Sequence, residues 1–273
     1  MAKPGYFGSS SRPLFGIHEP PREGARDAGV LLCYPGVQEY NMAHWAFRRL
    51  SGILAREGFH VLRFDWSGTG DSWGETTAGT VDAWVDDVRA AADELREASG
   101  AASLAIVGMR LGATLAALAC VHHIAPEQLL LWEPVVAGKR YVAELEALDA
   151  RENRHLLHGG PRPRDELVGF PFPADLRAAI EAIDLRVAPP RRARRVAVVA
   201  SDERQDYLGL RHALAGAGLP VSFDAVPEDA GSTNAGLHGA ALLATRSLSV
   251  ITDRLCAREP RPTAPSESRA HSL

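Results

Sequence analysis

Gly108-Met109-Arg110-Leu111-Gly112 is a glycine-flanked pentapeptide between two segments of different periodicity. The short apolar run 103–107 precedes it, and the Ala- and Leu-rich run 113–119 follows it. This order predicts a strand, a tight turn and a helix, because small residues let the two backbones approach closely. In a G-x-S-x-G motif such a turn presents a nucleophilic serine at its centre. Here the central residue is Arg110, whose guanidinium stays protonated and binds anions but cannot attack a carbon.

Strand-like and helix-like segments alternate along most of the chain. Residues 6–7 and 14–17 predict an opening β-hairpin, and the later strands are short apolar runs at 30–34, 60–65, 103–107, 129–132, 196–200 and 221–226. Helices are predicted from Asn41 to Gly58, from Thr80 onward, and at 113–119, 141–150, 175–183, 207–215 and roughly 237–255. This alternation indicates an α/β fold with a mostly parallel central sheet and helices on both faces.

One long segment, from 138 to about 190, interrupts the alternation. It contains two helical patterns and the polar loop 158–163, and it is longer than ordinary connections. We predict that it forms a helical cap over a pocket, inserted in a single domain that spans 1–257. Residues 258–273, rich in Pro, Ser, Arg and Glu, are predicted to be a disordered tail.

The composition restricts the class of protein. A chain of 273 residues, 46% of them hydrophobic, can bury one sizeable core. The formal net charge of −4 and the scattered charges give no reason to expect a nucleic-acid partner. Cys33, Cys120 and Cys256 lack metal or redox spacing and favour a reducing compartment. No signal-peptide pattern or long apolar stretch is present, so we expect a cytoplasmic protein without a membrane partner; a homodimer is left open.

Four segments carry a resemblance to a known family: Cys33-Tyr34-Pro35-Gly36 with Glu39-Tyr40, 58–65 with Gly68-Thr69-Gly70-Asp71-Ser72, 108–113, and 131–135 with Gly138. On these segments the chain resembles the α/β-hydrolase superfamily, and more narrowly the bacterial serine-aminopeptidase-like or exosortase-system-associated hydrolases. The resemblance implies the α/β-hydrolase fold, and arginine in place of the serine is a trait of that group. Similar proteins occur in polyketide gene clusters, including ones that remove acetate from acylated tetronate intermediates.

Arg110 and His238 are the first candidates for chemistry. At the centre of the turn, Arg110 can clamp a carboxylate, an enolate or a leaving acyloxy group by two parallel hydrogen bonds. The alternative is a structural ion pair, for instance with Glu133 or Asp65, since a buried cation needs an acid nearby. His238 follows the last predicted strand, where the resemblance places the catalytic base. A histidine can act as a general base near neutral pH, but it can also be an exposed residue at the start of a helix.

Two strand ends supply candidate acids. Asp202, with Glu203 beside it, follows the strand 196–200 and can orient the tautomer of His238. An acidic helix start explains both residues equally well. Glu133 follows the strand 129–132 and is either the acid or the partner that neutralises Arg110.

The resemblance also assigns an oxyanion hole and a substrate loop. It places the donor amides on Val37 and Leu111. Glu39 and Tyr40 lie on the same loop as Val37, where they can contact substrate or simply cap the next helix. The polar segment 67–72 is predicted to be a hydrogen-bonded turn. The histidines lack the spacing of a metal site, so we predict no metal and no cofactor.

Three hypotheses for function remain. In the first, the protein is a lyase: His238 removes an acidic C–H proton and a carboxylate such as acetate leaves an acylated small molecule of polyketide or tetronate biosynthesis. Arg110, Val37 and Leu111 would stabilise the enolate or the departing anion. In the second, His238 activates water and the protein hydrolyses esters or thioesters. In the third, the site is inactive and the protein is a binding or scaffold component.

Overall fold

The computed structural model describes residues 2–36, 39–155, 165–227 and 244–257. Within these residues a mixed sheet of eight strands lies between two layers of helices. Six of the strands are parallel, and an antiparallel hairpin extends one edge of the sheet. The structure therefore confirms the predicted fold class, with a mostly parallel central sheet and helices on both faces.

The strands of this sheet have between five and eight residues. They are β1 (Lys3–Ser9), β2 (Arg12–Glu19), β3 (Ala28–Cys33), β4 (His60–Phe64), β5 (Ser103–Met109), β6 (Gln128–Trp132), β9 (Val196–Ala200) and β10 (Val221–Ala225). Their order across the sheet is β1-β2-β4-β3-β5-β6-β9-β10. The strand that leads into the arginine turn, β5, is paired on both sides and is central.

All but the last of the described α-helices lie in the connections between the parallel strands, and the last one follows β10. In chain order the helices are α1 (Glu39–Arg56), α2 (Val81–Ser99), α3 (Leu111–His122), α4 (Gly138–His155), α5 (Ala174–Glu181), α6 (Gln205–Gly216) and α7 (Thr245–Cys256). α1 begins at Glu39, so the prediction that Asn41 caps it is wrong by two residues. Thr80 is the N-cap of α2, as the sequence predicts, since its hydroxyl accepts a hydrogen bond from the amide of Ala83 at 3.1 Å. The predicted start of the closing helix, at 237, and the tail, 258–273, lie outside the described residues.

The core lies on both faces of the sheet. Alternating strand residues point to opposite faces, so β4 sends Leu62 and Phe64 to the α2–α3 side and Val61 to the α1–α7 side. α3 is buried almost all round, which explains its uniformly apolar sequence.

The inserted segment between β6 and β9 packs against the rest of the domain. It contains α4, α5 and a short hairpin of β7 (Glu166–Leu167) and β8 (Phe170–Pro171). Gly138 starts α4 against the backbone of Ile180, where a Cβ atom would overlap the carbonyl oxygen. Leu167, Phe172 and Leu176 are buried in the main core, so the insertion is continuous with it.

Two further observations bear on the composition. Cys33, Cys120 and Cys256 are free thiols, and the first two are buried. None of the helices in the described part of the chain is long and apolar enough to cross a membrane.

Candidate active site

The turn between β5 and α3 holds Arg110 in a strained conformation. Its φ of 51° and ψ of −122° lie outside the regions that a residue with a side chain ordinarily adopts. The Arg110 amide donates to the carbonyl of Trp132 at 3.0 Å, which ties the turn to the end of β6. Gly112 is required here, because a Cβ atom would overlap the backbone carbonyl of Tyr34. This is the sharp strand-to-helix geometry of a nucleophile elbow, and the residue it presents is a cation.

The guanidinium of Arg110 is held by two carboxylates. Its Nε donates to Glu39 at 2.8 Å, and its Nη2 donates to Glu144 at 3.2 Å. Its side chain is 19% exposed and lies over the ring of Tyr141, 5.4 Å from the centroid. The prediction that Glu133 or Asp65 forms the ion pair with Arg110 is therefore wrong. The pair forms with Glu39 and Glu144 instead, because the N-termini of α1 and of the cap helix meet at the elbow.

Glu39 connects the elbow to the cap. One carboxylate oxygen accepts from Arg110, and the other accepts from the hydroxyl of Tyr141 at 3.0 Å. Burial, followed by the charge of Glu39, raises the pKa of Tyr141 well above its ordinary value, so this phenol stays a donor. Burial alone would lower the pKa of Arg110, but Glu39 and Tyr141 together raise it. Arg110 is thus a permanent cation.

One amino group of Arg110 remains available. Nη1 has no hydrogen-bond partner among the described residues, whereas Nε and Nη2 are both engaged. The two-bond clamp expected from the sequence is therefore not available to a ligand. Only the Nη1 group remains as a donor among the described contacts. Arg110 faces a small cleft that is also lined by Arg140, Arg204 and Tyr207.

Glu133 follows β6 and faces inward. Its φ is 46°, another left-handed conformation at a strand end. One carboxylate oxygen accepts from the amide of Ser201 at 2.5 Å, and the other accepts from the hydroxyl of Tyr207 at 2.6 Å. Burial and the adjacent Glu133 raise the pKa of Tyr207 above its ordinary value. Glu133 is a fixed acceptor beside the elbow, not the ion-pair partner of Arg110.

Asp202 follows the end of β9 and is more exposed to solvent than Glu133. Its side chain is 55% exposed and both carboxylate oxygens accept from the guanidinium of Arg204, at 2.9 and 3.2 Å. The hydrogen bonds from Arg204 lower the pKa of Asp202. Its neighbour Glu203 is exposed as well. The predicted base, His238, lies outside the described residues, so its pairing with any of these acids stays a prediction.

Of the two predicted donors of the oxyanion hole, only Leu111 lies among the described residues. Leu111 is buried and begins α3, and its amide has no hydrogen-bond acceptor among the described residues. Free amides at a helix N-terminus favour an anion. Val37, the other predicted donor, lies outside the described residues. Tyr40, in the first turn of α1, donates its hydroxyl to Asp65 at 2.7 Å.

A cavity of about 300 Å³ lies beside the elbow. Leu111 and Gly36 form one side of it, and Phe170, Pro171 and Leu176 of the insertion form another. The remaining lining residues come from the segment after β3, from α1, α2 and α3, and from the 66–76 segment: Pro35, Tyr40, Asn41, Trp66, Thr69, Gly70, Thr76, Trp84 and Leu115. The insertion therefore lines one side of a mostly apolar pocket. That it acts as a cap stays a prediction.

Two hydroxyls of the cavity wall, those of Thr69 and Tyr40, are bonded within the protein, as is the nearby hydroxyl of Ser72. The Thr69 hydroxyl donates to the carbonyl of Trp66 at 2.9 Å. The Ser72 hydroxyl donates to the carbonyl of Asp65 at 2.6 Å and accepts from the amide of Phe15 at 2.8 Å. These bonds confirm the predicted hydrogen-bonded turn. No serine or cysteine is among the described residues that line the cavity.

Three residues of the site were missed by the sequence interpretation. Tyr141 and Glu144 lie one turn apart on α4, and Tyr207 lies on α6. The i, i+3 spacing of a tyrosine and a glutamate in the first turns of a cap helix was the available signal. No described cluster of His, Cys, Asp and Glu has the arrangement of a metal site.

Comparisons with known proteins agree with this geometry. Residues 27–160, just under half of the chain, match the serine aminopeptidase family S33. The match covers the elbow and the loop before α1. No curated protein sequence matches the chain at a significant level.

Solved structures match the fold over nearly the whole chain. An esterase from Pyrococcus furiosus superposes with a TM-score of 0.62 at 13% identity, over 93% of this chain and 90% of that one. A lidless α/β serine hydrolase from Xanthomonas campestris has a TM-score of 0.58 at 17% identity, covering 95% and 96%. The bottromycin epimerase BotH, in complex with bottromycin A2, has a TM-score of 0.57 at 18% identity, covering 93% and 98%. These likenesses show that the chain has the α/β-hydrolase fold.

Proposed function

We propose that this protein is an enzyme that eliminates a carboxylate, such as acetate, from an acylated small molecule without forming an acyl-enzyme. The observation that supports this most directly is the elbow itself. It keeps the strained geometry of a nucleophile, but Arg110 occupies the position and is neutralised by Glu39 and Glu144. Ordinary ester hydrolysis through a covalent intermediate requires an attacking atom there, and β-elimination does not.

The elimination needs one base and one anion site. His238 would take the proton from the carbon next to a carbonyl, and those electrons form the C=C bond as the C–O bond to the acyloxy group breaks. The carboxylate leaves with the electron pair of that bond, and His238 later returns the proton to water. Among the described residues, the amide of Leu111 and the Nη1 group of Arg110 are the hydrogen-bond donors that could bind the departing anion.

The cavity favours elimination over hydrolysis. Its wall is mostly apolar, and the hydroxyls of Tyr40 and Thr69 are bonded to a carboxylate and a carbonyl of the protein. Among the described lining side chains, only Asn41 and Thr76 remain to position an attacking water. A pocket of about 300 Å³ is at the small end of the range for organic ligands, which suits a compact acylated substrate.

The relatives support the fold and leave room for proton-transfer chemistry. One neighbour in the fold is an epimerase, and epimerisation at carbon removes and returns a C–H proton. The resemblance of the sequence to proteins of polyketide clusters favours acetate and a tetronate-type intermediate.

The test is product analysis of a β-acetoxy carbonyl compound with one hydrogen on its α-carbon, incubated with the protein in ¹⁸O-water. Elimination gives the alkene and acetate without ¹⁸O, and deuterium at the α-carbon slows it. We expect His238→Gln to lower kcat/KM at least about a hundredfold, since general-base catalysis contributes that much. His212→Gln, at an exposed histidine of α6, is the control and should leave kcat/KM unchanged.

Three results would contradict the proposal. An alcohol product with ¹⁸O in the acetate would identify a hydrolase. An acetylated protein in an acid quench would identify a hidden nucleophile. Substrate binding without turnover would favour a binding or scaffold role.

A further inference from the structure

We propose that the chain has a second ligand site, for a phosphate-type oxyanion, in a cavity on the α1 face of the sheet edge. The cavity has a volume of about 470 Å³ and shares no lining residue with the cavity at the elbow. Its wall comes from β2, β4, α1 and the segments next to the hairpin: Ala2, Ile17, Glu19, Arg22, His44, Arg48, Gly52 and Arg63.

Arg63 is the lining residue that most strongly indicates a bound anion. It lies on β4 and is 8% exposed, although its neighbours on the strand, Leu62 and Phe64, are buried apolar residues of the core. A buried guanidinium is costly unless an acid or several acceptors face it.

Among the described residues, Arg63 has a single weak hydrogen-bond acceptor. Arg63 Nη1 donates to the hydroxyl of Tyr34 at 3.4 Å, and its buried Nε has no hydrogen-bond partner. No carboxylate of the described residues lies within the 4.0 Å of an ion pair with Arg63. A buried donor without an acceptor at a cavity wall indicates a missing anion.

Other cationic groups converge on the same cavity. His44 and Arg48 are one helical turn apart on α1 and so lie on one face of the helix. Arg22 also lines the cavity, but it is paired with Glu19 at 3.8 Å. Three arginines and one glutamate leave a formal charge of +2 on the lining, in a chain whose net charge is −4.

The local field is therefore positive. Burial and then the charge of Arg63 lower the pKa of His44, so at neutral pH its ring is uncharged and offers one N–H donor. The guanidinium groups of Arg63 on β4 and Arg48 on α1, and the imidazole of His44 on α1, line the cavity from two different elements. A tetrahedral oxyanion with several acceptor oxygens matches donors from several directions.

The size of the cavity indicates more than a bare ion. A volume of about 470 Å³ is within the range of sites for organic ligands. The class of ligand is thus a phosphate or a phosphomonoester, whose charged group would contact Arg63 and Arg48.

The experiment is calorimetric titration of the full chain, backed by melting temperature, with inorganic phosphate, sodium sulfate and glycerol 3-phosphate at constant ionic strength. We expect saturable binding of inorganic phosphate, and tighter binding of glycerol 3-phosphate if the remaining volume holds the organic part. Arg48→Gln, at an exposed position, should weaken phosphate binding about tenfold without changing the fold. Arg49→Gln, the next residue on α1, does not line the cavity and should leave binding unchanged.

Arg63→Gln removes the buried cation and should abolish the binding. Circular dichroism of this variant shows whether it folds, and Arg48→Gln carries the test if it does not. The proposal is overturned if phosphate binds without saturation, or if Arg48→Gln and Arg49→Gln change binding equally. Because no elbow residue is altered, the result is independent of the activity proposed above.

Discussion

The Nε atom of Arg110 lies 2.8 Å from a carboxylate oxygen of Glu39, although the two residues are 71 positions apart in the chain. The pair connects the elbow to the first residue of α1, and Tyr141 extends it to the cap through the second oxygen of Glu39. The arginine at the nucleophile position is therefore also the centre of an ion network that holds three elements together.

Removing this arginine should destabilise the fold. We expect Arg110→Met to lower the free energy of unfolding by about 2 to 4 kcal/mol, because Glu39, only 14% exposed, loses its cation. Urea denaturation followed by circular dichroism measures the change.

The matched control for this substitution is an exposed ion pair. Arg89 and Asp86 lie 3.6 Å apart on α2, and both side chains are more than half exposed. Arg89→Met should change the free energy of unfolding by at most about 0.5 kcal/mol. Equal changes in the free energy of unfolding for the two substitutions would mean that the Arg110 network stabilises the fold no more than an exposed ion pair does.

The close packing of the elbow gives a second prediction. Gly112→Ala should cost about 3 kcal/mol or more, because its Cβ atom would overlap the carbonyl oxygens of Tyr34 and Cys33, which are backbone and cannot move aside cheaply. Gly216→Ala, near the end of α6, meets nothing within 4 Å and should be neutral or stabilising. A stable Gly112→Ala protein would show that the strand and helix are not held as close as described.

The features that could be predicted from the sequence were the local ones. The strand, turn and helix around Arg110 are contiguous, so glycine positions and apolar periodicity indicate them directly. The partners of Arg110 are 71 and 34 residues away, and their approach depends on how α1 and α4 pack, which no short pattern encodes. Glu39 was selected as a substrate or capping residue, and its role as ion-pair partner became visible only in the fold.

The choice between the two candidate acids is testable. We expect Glu133→Gln to lower kcat/KM at least tenfold more than Asp202→Asn does, because Glu133 faces inward beside the elbow and Asp202 is exposed and paired with Arg204. If Glu133 orients and stabilises the charged form of His238, its loss should also move the acidic limb of the pH–rate profile to lower pH. A larger effect of Asp202→Asn, with a shifted profile, would assign the acid to Asp202.

A buried carboxyl on α2 predicts how stability depends on pH. Asp87 is 4% exposed, accepts from the amide of Ser67 at 2.8 Å and lies 3.6 Å from Arg12. Burial raises its pKa above the ordinary value of 3.8, and the amide of Ser67 and the charge of Arg12 oppose the rise only in part. The folded protein therefore holds the Asp87 proton more strongly than the unfolded chain does.

The sign follows from this difference. Asp87 contributes most stability below pH 3.8, and that contribution is lost as the pH rises through its higher folded-state pKa. Asp87→Asn stays neutral and its carbonyl oxygen can still accept from Ser67. Hence the unfolding free energy of the variant minus that of the wild type should rise as the pH increases from about 4, and then level off. Urea denaturation at intervals between about pH 4 and 7 measures it, with Gly216→Ala, which changes no titratable group, as the control whose difference should stay flat. A difference for Asp87→Asn that falls over this range would mean that the carboxylate, and not the acid, is the form the fold prefers.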